Sequence, residues 1–449
     1  MSKLHRESEE CGLLNLELTS LPMTCTSIEQ VIYNEIQSVN SISDSDVLPA
    51  EFHISPTADF YTDLNNTELY IKARVIHEDG SVIDENDLVT PINNFGHSLF
   101  QEMSVLLNDT LINTASPLYP YKAYLQNTLN YGESAKQSWL QSVLYFPDTH
   151  GEAFDQTNNN GGTPINQGAS QRYDMVRNSK VVDMIFKPCI DIFHQDRPIL
   201  PNTDIRVRMT RTSPQFCLMS HDETGKRYKV QLIHASLFVR QLRINPSIAI
   251  AHQTALQRGI TCKYPIARTE CSSFTITSGV MTVSKPNIIN GILPHTVVVG
   301  MVGNDSFHGS YKKSPFNFKP FDVSSMNLVV NGLSYPTRAL KPVFDDRGNA
   351  GQQYIRSYNT LVRGVVRQYS DAGNMIPRDA YASGYTIFVI RLAEDVSPLN
   401  FGLTREGNVG LEMHFSKNTP ETLSCIVLSE YRNVMEINKA GEITFDYQA

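Results

Sequence analysis

The sequence predicts an all-β protein made of two tandem eight-stranded jelly rolls, with a few short helices and long loops. Three observations support this fold class. Many short segments alternate between apolar and polar residues, as strands with one buried face do. The 25 Gly and 23 Pro residues among 449 mark frequent turns. Several phrases of the first half of the chain return in the second half, which indicates an internal repeat.

The alternation is clearest in two segments of the first half. ELYIKARVIHEDGSVI (Glu68–Ile83) places Leu, Ile, Ala and Val on one face and then reaches the turn-forming pair Asp79-Gly80. DIRVRMTRT (Asp204–Thr212) repeats the pattern, with arginines on the opposite face. Further strands are predicted in YKVQLIHASLFVRQLRI (Tyr228–Ile244), HTVVVGMV (His295–Val302), GYTIFVIRL (Gly384–Leu392) and TLSCIVLSEY (Thr422–Tyr431).

Helical signals are few and local. One short helix is predicted around Glu133–Leu144. A second is predicted in NPSIAIAHQTALQRG, with Pro246 at the first helical position and Gly259 as the stop, close to mid-chain where a connector belongs. The first 50 residues fit a strand or a helix equally well, and we interpret them as an arm outside the main core.

One long segment, Phe146–Met175, has low hydrophobicity and is rich in Asn, Gly and Gln. It exceeds ordinary loop lengths, and such segments are usually exposed functional loops or disordered. We expect an exposed surface insertion.

Three pairs of phrases carry the internal repeat. MSVLLNDTLI starts at Met103 and MNLVVNGLSY at Met326, a spacing of 326 − 103 = 223 residues. NTDIRVRMTRTSP starts at Asn202 and NVGLEMHFSKNTP at Asn408, a spacing of 408 − 202 = 206 residues. The third and weaker pair is YLQNTL and SYNTL. Chance matches are common among strands with Asn-containing turns, but three matches in the same order favour a duplication.

Each repeat of about 200 residues would hold about eight strands, which fits a jelly roll of two packed sheets. We expect an N-terminal arm at residues 1–50, a first jelly roll at 51–245 that includes the insertion at 146–175, a connector helix at 246–260 and a second jelly roll at 261–449. Asn108 and Asn331 are predicted to turn the chain, because Asn tolerates positive φ.

Composition bears on the class of function. The formal net charge is −8, from 38 Lys and Arg against 46 Asp and Glu, so no direct sequence-specific nucleic-acid binding is expected. Seven scattered cysteines without a C-x-x-C pair argue against a disulfide framework or a zinc cluster and indicate a reducing compartment. The charged N-terminus and the lack of an 18-residue apolar run predict a soluble, non-secreted protein without a transmembrane segment.

The common catalytic motifs are missing from the sequence. There is no phosphate-binding loop, dinucleotide fingerprint, H-E-x-x-H or G-x-S-x-G. One pattern, His194-x-Asp196, could join a distal His252 in the two-His-one-carboxylate site of a non-haem iron enzyme. The alternative is a solvated strand end, and H-x-D arises easily by chance. We therefore assign no catalytic, cofactor-binding or metal residue and expect no cofactor.

Several longer phrases resemble a known protein family. They are TSIEQ, LYIKARVIHEDG, YPYKAYLQNTLNYG, YKVQLIHASLFVRQLRINPSIAIAHQTAL, HGSYKKSPFNFKPF and RDAYASGYTIFVIRL. These phrases resemble the capsid-type proteins of Polinton/Maverick elements and adintovirus-like viruses found in animal genomes. The resemblance runs from about Thr26 to the C-terminus, and the Asn-rich segment at 146–175 departs from it.

The resemblance implies a double jelly-roll major capsid protein, which is a structural protein and not an enzyme. In that lineage three chains form a homotrimeric capsomer with a pseudo-sixfold outline, and the capsomers tile an icosahedral shell around double-stranded DNA. Neighbouring capsomers and a penton or minor capsid protein would be the partners. The location would be the virion capsid, after synthesis in the host cytoplasm or nucleus, and the N-terminal arm would lie inside the shell or reach a neighbour.

Three alternatives stay open. One is a jelly-roll non-haem iron enzyme that uses His194 and Asp196, and another is a carbohydrate-binding double sandwich. The third is a minor or penton-type capsid protein of the same virus group. The duplication argues against the third alternative, because penton proteins of this lineage resemble a single jelly roll.

Overall fold

The computed structural model describes residues 21, 24–40, 49–85, 87–113, 116–157, 165–221, 225–345, 351–365, 373–393 and 403–446. Within these ranges the first half of the chain forms β1 (Ile28–Gln37), β2 (Ala50–Ile54), β3 (Tyr61–His77), β4 (Val89–Pro91), β5 (Phe100–Leu107), β6 (Thr110–Leu111), β7 (Val182–Phe186), β8 (Ile205–Arg211), β9 (Leu218–Ser220) and β10 (Tyr228–Ile244). The second half forms β11 (Cys262–Ile276), β12 (Thr282–Ile292), β13 (Thr296–Gly303), β14 (Val323–Val330), β15 (Leu333–Leu340), β16 (Ile387–Arg391), β17 (Glu406–Phe415), β18 (Leu423–Ile437) and β19 (Ile443–Phe445).

The two halves share one strand topology. The first half has sheets in the orders β1-β10-β3-β7 and β2-β8-β5-β6, and the second half has β11-β18-β13-β16 and β12-β17-β14-β15. If the short β4, β9 and β19 are set aside, both halves read 1-8-3-6 in one sheet and 2-7-4-5 in the other. Two packed four-stranded antiparallel sheets of this kind form a jelly roll. The predicted all-β double jelly roll is confirmed. We call the 1-8-3-6 sheet of each jelly roll its first-strand sheet.

The strand register supports the repeat and corrects one alignment. Met103 pairs with Met209 between β5 and β8, and Met326 pairs with Met413 between β14 and β17. Met209 is therefore equivalent to Met413, a spacing of 413 − 209 = 204 residues, whereas the sequence alignment used 206. A shift of two residues keeps every side chain on its face, so the apolar pattern alone could not detect the error.

The predicted strand faces agree with the structure. Leu69, Ile71 and Val75 of β3 are buried, and so are Ile205 and the other inward residues of β8. The turn after β3 has Gly80 at φ 90°, as the Asp-Gly pair predicts. In the described part of the segment beyond it, a single bridge joins Ile76 and Val82, and no second long strand completes the hairpin there.

The described ranges contain helices α1 (Phe95–Ser98), α2 (Tyr119–Asn130), α3 (Glu133–Lys136), α4 (Gln167–Val176), α5 (Pro214–Cys217), α6 (Pro246–Gln257), α7 (Asn304–His308), α8 (Ile355–Val365) and α9 (Arg378–Ala382). The predicted mid-chain helix is α6: the Asn245 side chain accepts a bond from the Ser247 N–H, and Gly259 follows its end at φ 82°. The helix expected at 133–144 is divided into α3 and a 3-10 turn at Trp139–Val143.

The two copies of the third repeated phrase lie in two helices that the sequence did not predict. YLQNTL lies in α2 and SYNTL lies in α8. Each helix follows the 2-7-4-5 sheet's last hairpin in its own half, after β6 and after β15. The periodicity of α2 is masked because most of its residues are buried, so it shows no clean polar face.

The predicted arm contributes a strand. Residues 28–37 form β1, which pairs with β10 along its length and stays largely exposed. Residues 1–20, 22–23 and 41–48 of the arm lie outside the described residues. The division into arm, jelly rolls and connector helix remains a prediction.

The described parts of the segment at 146–175 are not the exposed insertion that its composition predicts. In its described parts Phe146, Phe154, Asn166 and Arg172 are buried, and α4 begins inside it. The Asn166 side chain accepts a bond from the Ala169 N–H and so caps α4. Residues 158–164, which hold the run of Asn and Gly, lie outside the described residues.

Candidate functional sites

The three residues considered for an iron site are not brought together. His194 ends a 3-10 turn, Asp196 accepts a bond from the Asn65 side chain at 3.2 Å, and His252 lies on α6 with its Nδ1 3.0 Å from the Tyr61 hydroxyl. In the described part of the chain, no three His, Cys, Asp or Glu side chains are arranged to hold a metal ion. The alternative of a two-His-one-carboxylate site therefore has no geometric support.

Several polar groups line the seam between the two jelly rolls. A cleft of about 340 Å³ lies in this seam, between α2 and the first-strand sheet of the second jelly roll. His194 lies at this cleft, together with Gln126, Asn130, Arg391 and Glu430. None of these polar residues except His194 was singled out from the sequence, because they come from four separate segments of the chain.

A buried ion pair holds the 146–175 segment in place. Arg172 donates to the Asp148 carboxylate at 2.5 Å, and the two side chains are 1% and 2% exposed. Arg172 also donates to the carbonyl oxygens of Pro91 and Phe146, and Asn166 donates to Asp148 at 3.0 Å. A buried guanidinium needs such a set of acceptors, because an unpaired charge in the interior is very costly.

The same segment forms hydrogen bonds to the second jelly roll. The Asp155 carboxylate accepts bonds from the Ser314 N–H at 2.9 Å, the Asn317 side chain at 2.8 Å and the Lys319 ammonium at 3.3 Å. The Tyr385 hydroxyl donates to the Asp148 carbonyl oxygen at 2.9 Å. The segment predicted as a loop therefore joins the two jelly rolls. We call the contacts that Asp148 and Asp155 make with the second jelly roll the clasp.

A second contact covers the open edge of β11. Lys122 on α2 donates to the Asp191 carboxylate at 2.7 Å and to the Thr269 carbonyl oxygen at 3.0 Å. Asp191 accepts in turn from the Thr269 N–H at 3.1 Å. Side chains of the first jelly roll thus bond the backbone groups of an edge strand that would otherwise be free to pair with another chain.

Lys136 is buried, and among the described residues no carboxylate forms an ion pair with it. Its ammonium donates to the carbonyl oxygens of Thr128 at 2.8 Å and Asn374 at 2.5 Å, which belong to different jelly rolls. Burial lowers the pKa of Lys136 to about 7, because the charged form loses its water. The sequence gives no sign of this contact, since Asn374 lies 238 positions from Lys136 in the chain.

Several surfaces are left uncovered. β12 and β15 at the two edges of a sheet in the second jelly roll are mostly exposed, and so is β1 in the first. No residue of α6 is buried, although the helix carries Ile248, Ile250 and Leu256. Among the described residues, no helix is long and apolar enough to cross a membrane. Exposed strands and apolar helix surfaces of this kind are typical of proteins that contact other chains.

The chain was compared with known proteins in sequence and in fold. No protein-family model matches the chain. It is 23% identical over 427 residues to an uncharacterized protein of Caenorhabditis elegans, F54H12.2, and the match covers 93% of this chain and 97% of that protein.

Solved viral structures resemble the chain over nearly its whole length. A chain of the Sputnik virophage cryo-EM structure has a TM-score of 0.66 at 12% identity and covers 100% of this chain and 95% of its own. PBCV-1 VP54 has a TM-score of 0.56 at 11% identity, with 96% and 100% covered. The mavirus major capsid protein has a TM-score of 0.52 at 10% identity, with 100% and 97% covered. The chain therefore has the double jelly-roll fold of viral major capsid proteins.

Proposed function

We propose that this chain is a structural major capsid protein that assembles as a homotrimer with a pseudo-hexameric outline and tiles an icosahedral shell around double-stranded DNA. The observation that carries the proposal is the pair of topologically identical jelly rolls joined by a bonded seam. Three such chains present six similar units, which suits a closed ring with threefold symmetry and hexagonal packing. The likeness to the mavirus major capsid protein supports the same role.

The proposal includes an origin in Polinton/Maverick elements or adintovirus-like viruses. Phrases of the sequence resemble the capsid-type proteins of those elements, and the match to a Caenorhabditis elegans protein supports a source in an animal genome. Neighbouring capsomers and a penton or minor capsid protein would be the partners. The protein would be made in the host cytoplasm or nucleus and would end in the virion.

The mass of the purified protein in solution, combined with electron microscopy, tests the proposal. We expect a trimer with a six-lobed outline. A stable monomer at high protein concentration would contradict it. Metal analysis distinguishes the iron-enzyme alternative from the capsid proposal, because stoichiometric iron that is lost on His194→Ala would support an iron site.

The predicted arm at residues 1–50 can be tested separately. We propose that it acts in shell assembly, by lying along the inner side or reaching a neighbour. A chain that lacks residues 1–27, which precede β1, should still fold and form trimers but assemble shells poorly. Normal shell assembly by this variant would count against a role for these residues.

A further inference from the structure

The two first-strand sheets differ in what covers their outer faces. In the second jelly roll every residue of β13 is buried: Val297 and Val299 pack inside that jelly roll, whereas Val298 and Val302 join the large apolar cluster that includes the first jelly roll. The equivalent strand β3 alternates from Leu69 to Val75 between buried and half-buried residues. The same sheet is thus covered on both faces in the second jelly roll and on one face in the first.

The uncovered face has the composition of a contact surface. Phe238 of β10 lies directly opposite Glu35 of β1 and Glu68 of β3. The Tyr70 ring is 6.1 Å from the Phe238 ring, and Tyr33 is 64% exposed. We call these five residues the free face. Aromatic residues are enriched at the centres of protein interfaces, where they fill pockets and exclude water.

Inside one chain, the corresponding face of the second jelly roll is covered by α2 beside β11 and by the inward side of α8, whose Gly364 packs against Val389 of β16. The counterpart of α2 in the second jelly roll is α8, which follows the equivalent hairpin. On α8, Leu361 packs inward, while Ile355 is 47% exposed and Arg356 and Arg363 are exposed. Among the described residues, the first jelly roll therefore has a sheet face without a helix over it, and the second has a helix with an exposed outer side that carries Ile355 and Arg363.

Two acidic residues of the free face, Glu35 and Glu68, are opposite in charge to Arg363 of α8, a helix without acidic residues. The same sheet face also carries Arg240 and Lys72, but Arg240 forms an ion pair with Asp63 at 2.7 Å and the Lys72 ammonium lies 5.6 Å from the centre of the Tyr70 ring. Opposite charges on facing patches select the correct partner and speed its association.

We propose that the free face of one copy binds the α8 surface of a second copy, and that this contact repeats between chains the seam that α2 and β11 form within a chain. The inference rests on the proposed trimer and specifies its interface. The contact is heterologous, because different surfaces meet, and a heterologous contact gives a ring when the rotation closes. Three internal seams and three such contacts close a ring of six jelly rolls.

Charge reversal tests the contact. Three variants of the full chain are made. The first carries Glu35→Arg and Glu68→Arg, the second carries Arg363→Glu, and the third carries all three substitutions. Glu78→Arg and Arg227→Glu are matched controls, because both residues are exposed and lie at the far end of the same sheet, away from the free face. Analytical ultracentrifugation gives the concentration at which each trimer dissociates, and circular dichroism checks that each variant is folded.

We expect each of the first two variants to dissociate at a concentration at least about tenfold above that of the unchanged protein, as rim charge pairs allow. The chain with all three substitutions should recover part of the loss, and the controls should form trimers like the unchanged chain. Unchanged dissociation of either variant, or no recovery in the combined chain, would overturn the contact while the trimer itself stands. A monomeric unchanged protein would instead overturn the proposed function.

Discussion

Asn108 and Asn331 make the same pair of bonds at equivalent places in the two jelly rolls. The N–H of Asn108 donates to the Asp204 carbonyl oxygen at 2.9 Å, and its side-chain Oδ1 accepts from the Asp204 N–H at 2.9 Å. Asn331 makes the same two bonds to Asn408, at 3.1 and 2.9 Å. Both asparagines have positive φ, 45° and 49°, in two-residue hairpin turns. The turn therefore fastens its hairpin to the neighbouring strand.

Replacing these asparagines should weaken the fold unequally. Asn331→Ala loses the bond to Asn408 and a long one of 3.5 Å to the Glu406 carbonyl oxygen, and it strains the backbone, at a cost of about 2 kcal/mol. Asn108→Ala should cost about 3 kcal/mol, because Asn108 also donates to the Gly441 carbonyl oxygen of the second jelly roll at 2.8 Å. Denaturant unfolding measures both values. Asn331→Gly also loses the side-chain bond, but glycine adopts positive φ without strain. Its free energy of unfolding should therefore lie between those of Asn331→Ala and the unchanged protein. Equal losses for Asn331→Gly and Asn331→Ala would show that φ is unimportant.

Removing Arg172 should be severe. Arg172→Met leaves the buried Asp148 carboxylate without its guanidinium and should lower the free energy of unfolding by about 3–5 kcal/mol. The matched control is Arg177→Met, because Arg177 forms an exposed pair with Asp174 at 3.6 Å. That control should cost less than about 1 kcal/mol. Similar shifts of the thermal midpoint for the two variants would contradict the structural role of the buried pair.

Asp155 should control the clasp locally. Asp155→Ala leaves the Ser314 N–H and the Asn317 side chain without their acceptor, at a cost of about 1–3 kcal/mol. We expect faster hydrogen exchange at residues 314–319 and in 146–157, while β3 in the core keeps its protection. Asp155→Asn retains one acceptor oxygen and should show a smaller effect. Unchanged exchange at Ser314 in Asp155→Ala would show that the clasp does not depend on this carboxylate.

Lys136 should make stability depend on pH. Its pKa in the folded chain is lowered to about 7, so between about pH 7 and 10.5 the unfolded chain binds the extra proton. Stability should therefore rise with pH across that window, by at most about 1.4 kcal/mol per pH unit from this group. Lys136→Met should remove that part of the slope. An identical slope in the two proteins, measured by denaturant unfolding from pH 7 to 9.5, would rule out Lys136 as its source.

Local patterns were a good guide where a residue's role depends on its neighbours in the chain. β10 has the predicted bounds, and Pro246 and Gly259 mark the beginning and end of α6 as predicted. The order of three repeated phrases was enough to indicate two jelly rolls. The same patterns failed at Phe146–Met175, because low hydrophobicity does not reveal that Arg172 and Asp148 satisfy each other in the interior.

By itself, the sequence determined that the protein is all-β, that it consists of two similar jelly rolls, and that asparagine turns close equivalent hairpins. Period-two alternation and turn chemistry are local properties, so they can be read along the chain. Only the tertiary structure decided how the jelly rolls are joined, through Asp155 and Ser314 or Lys122 and Thr269, and which sheet face is left free. These bonds join residues more than a hundred positions apart, and their strength comes from burial, which no local pattern records.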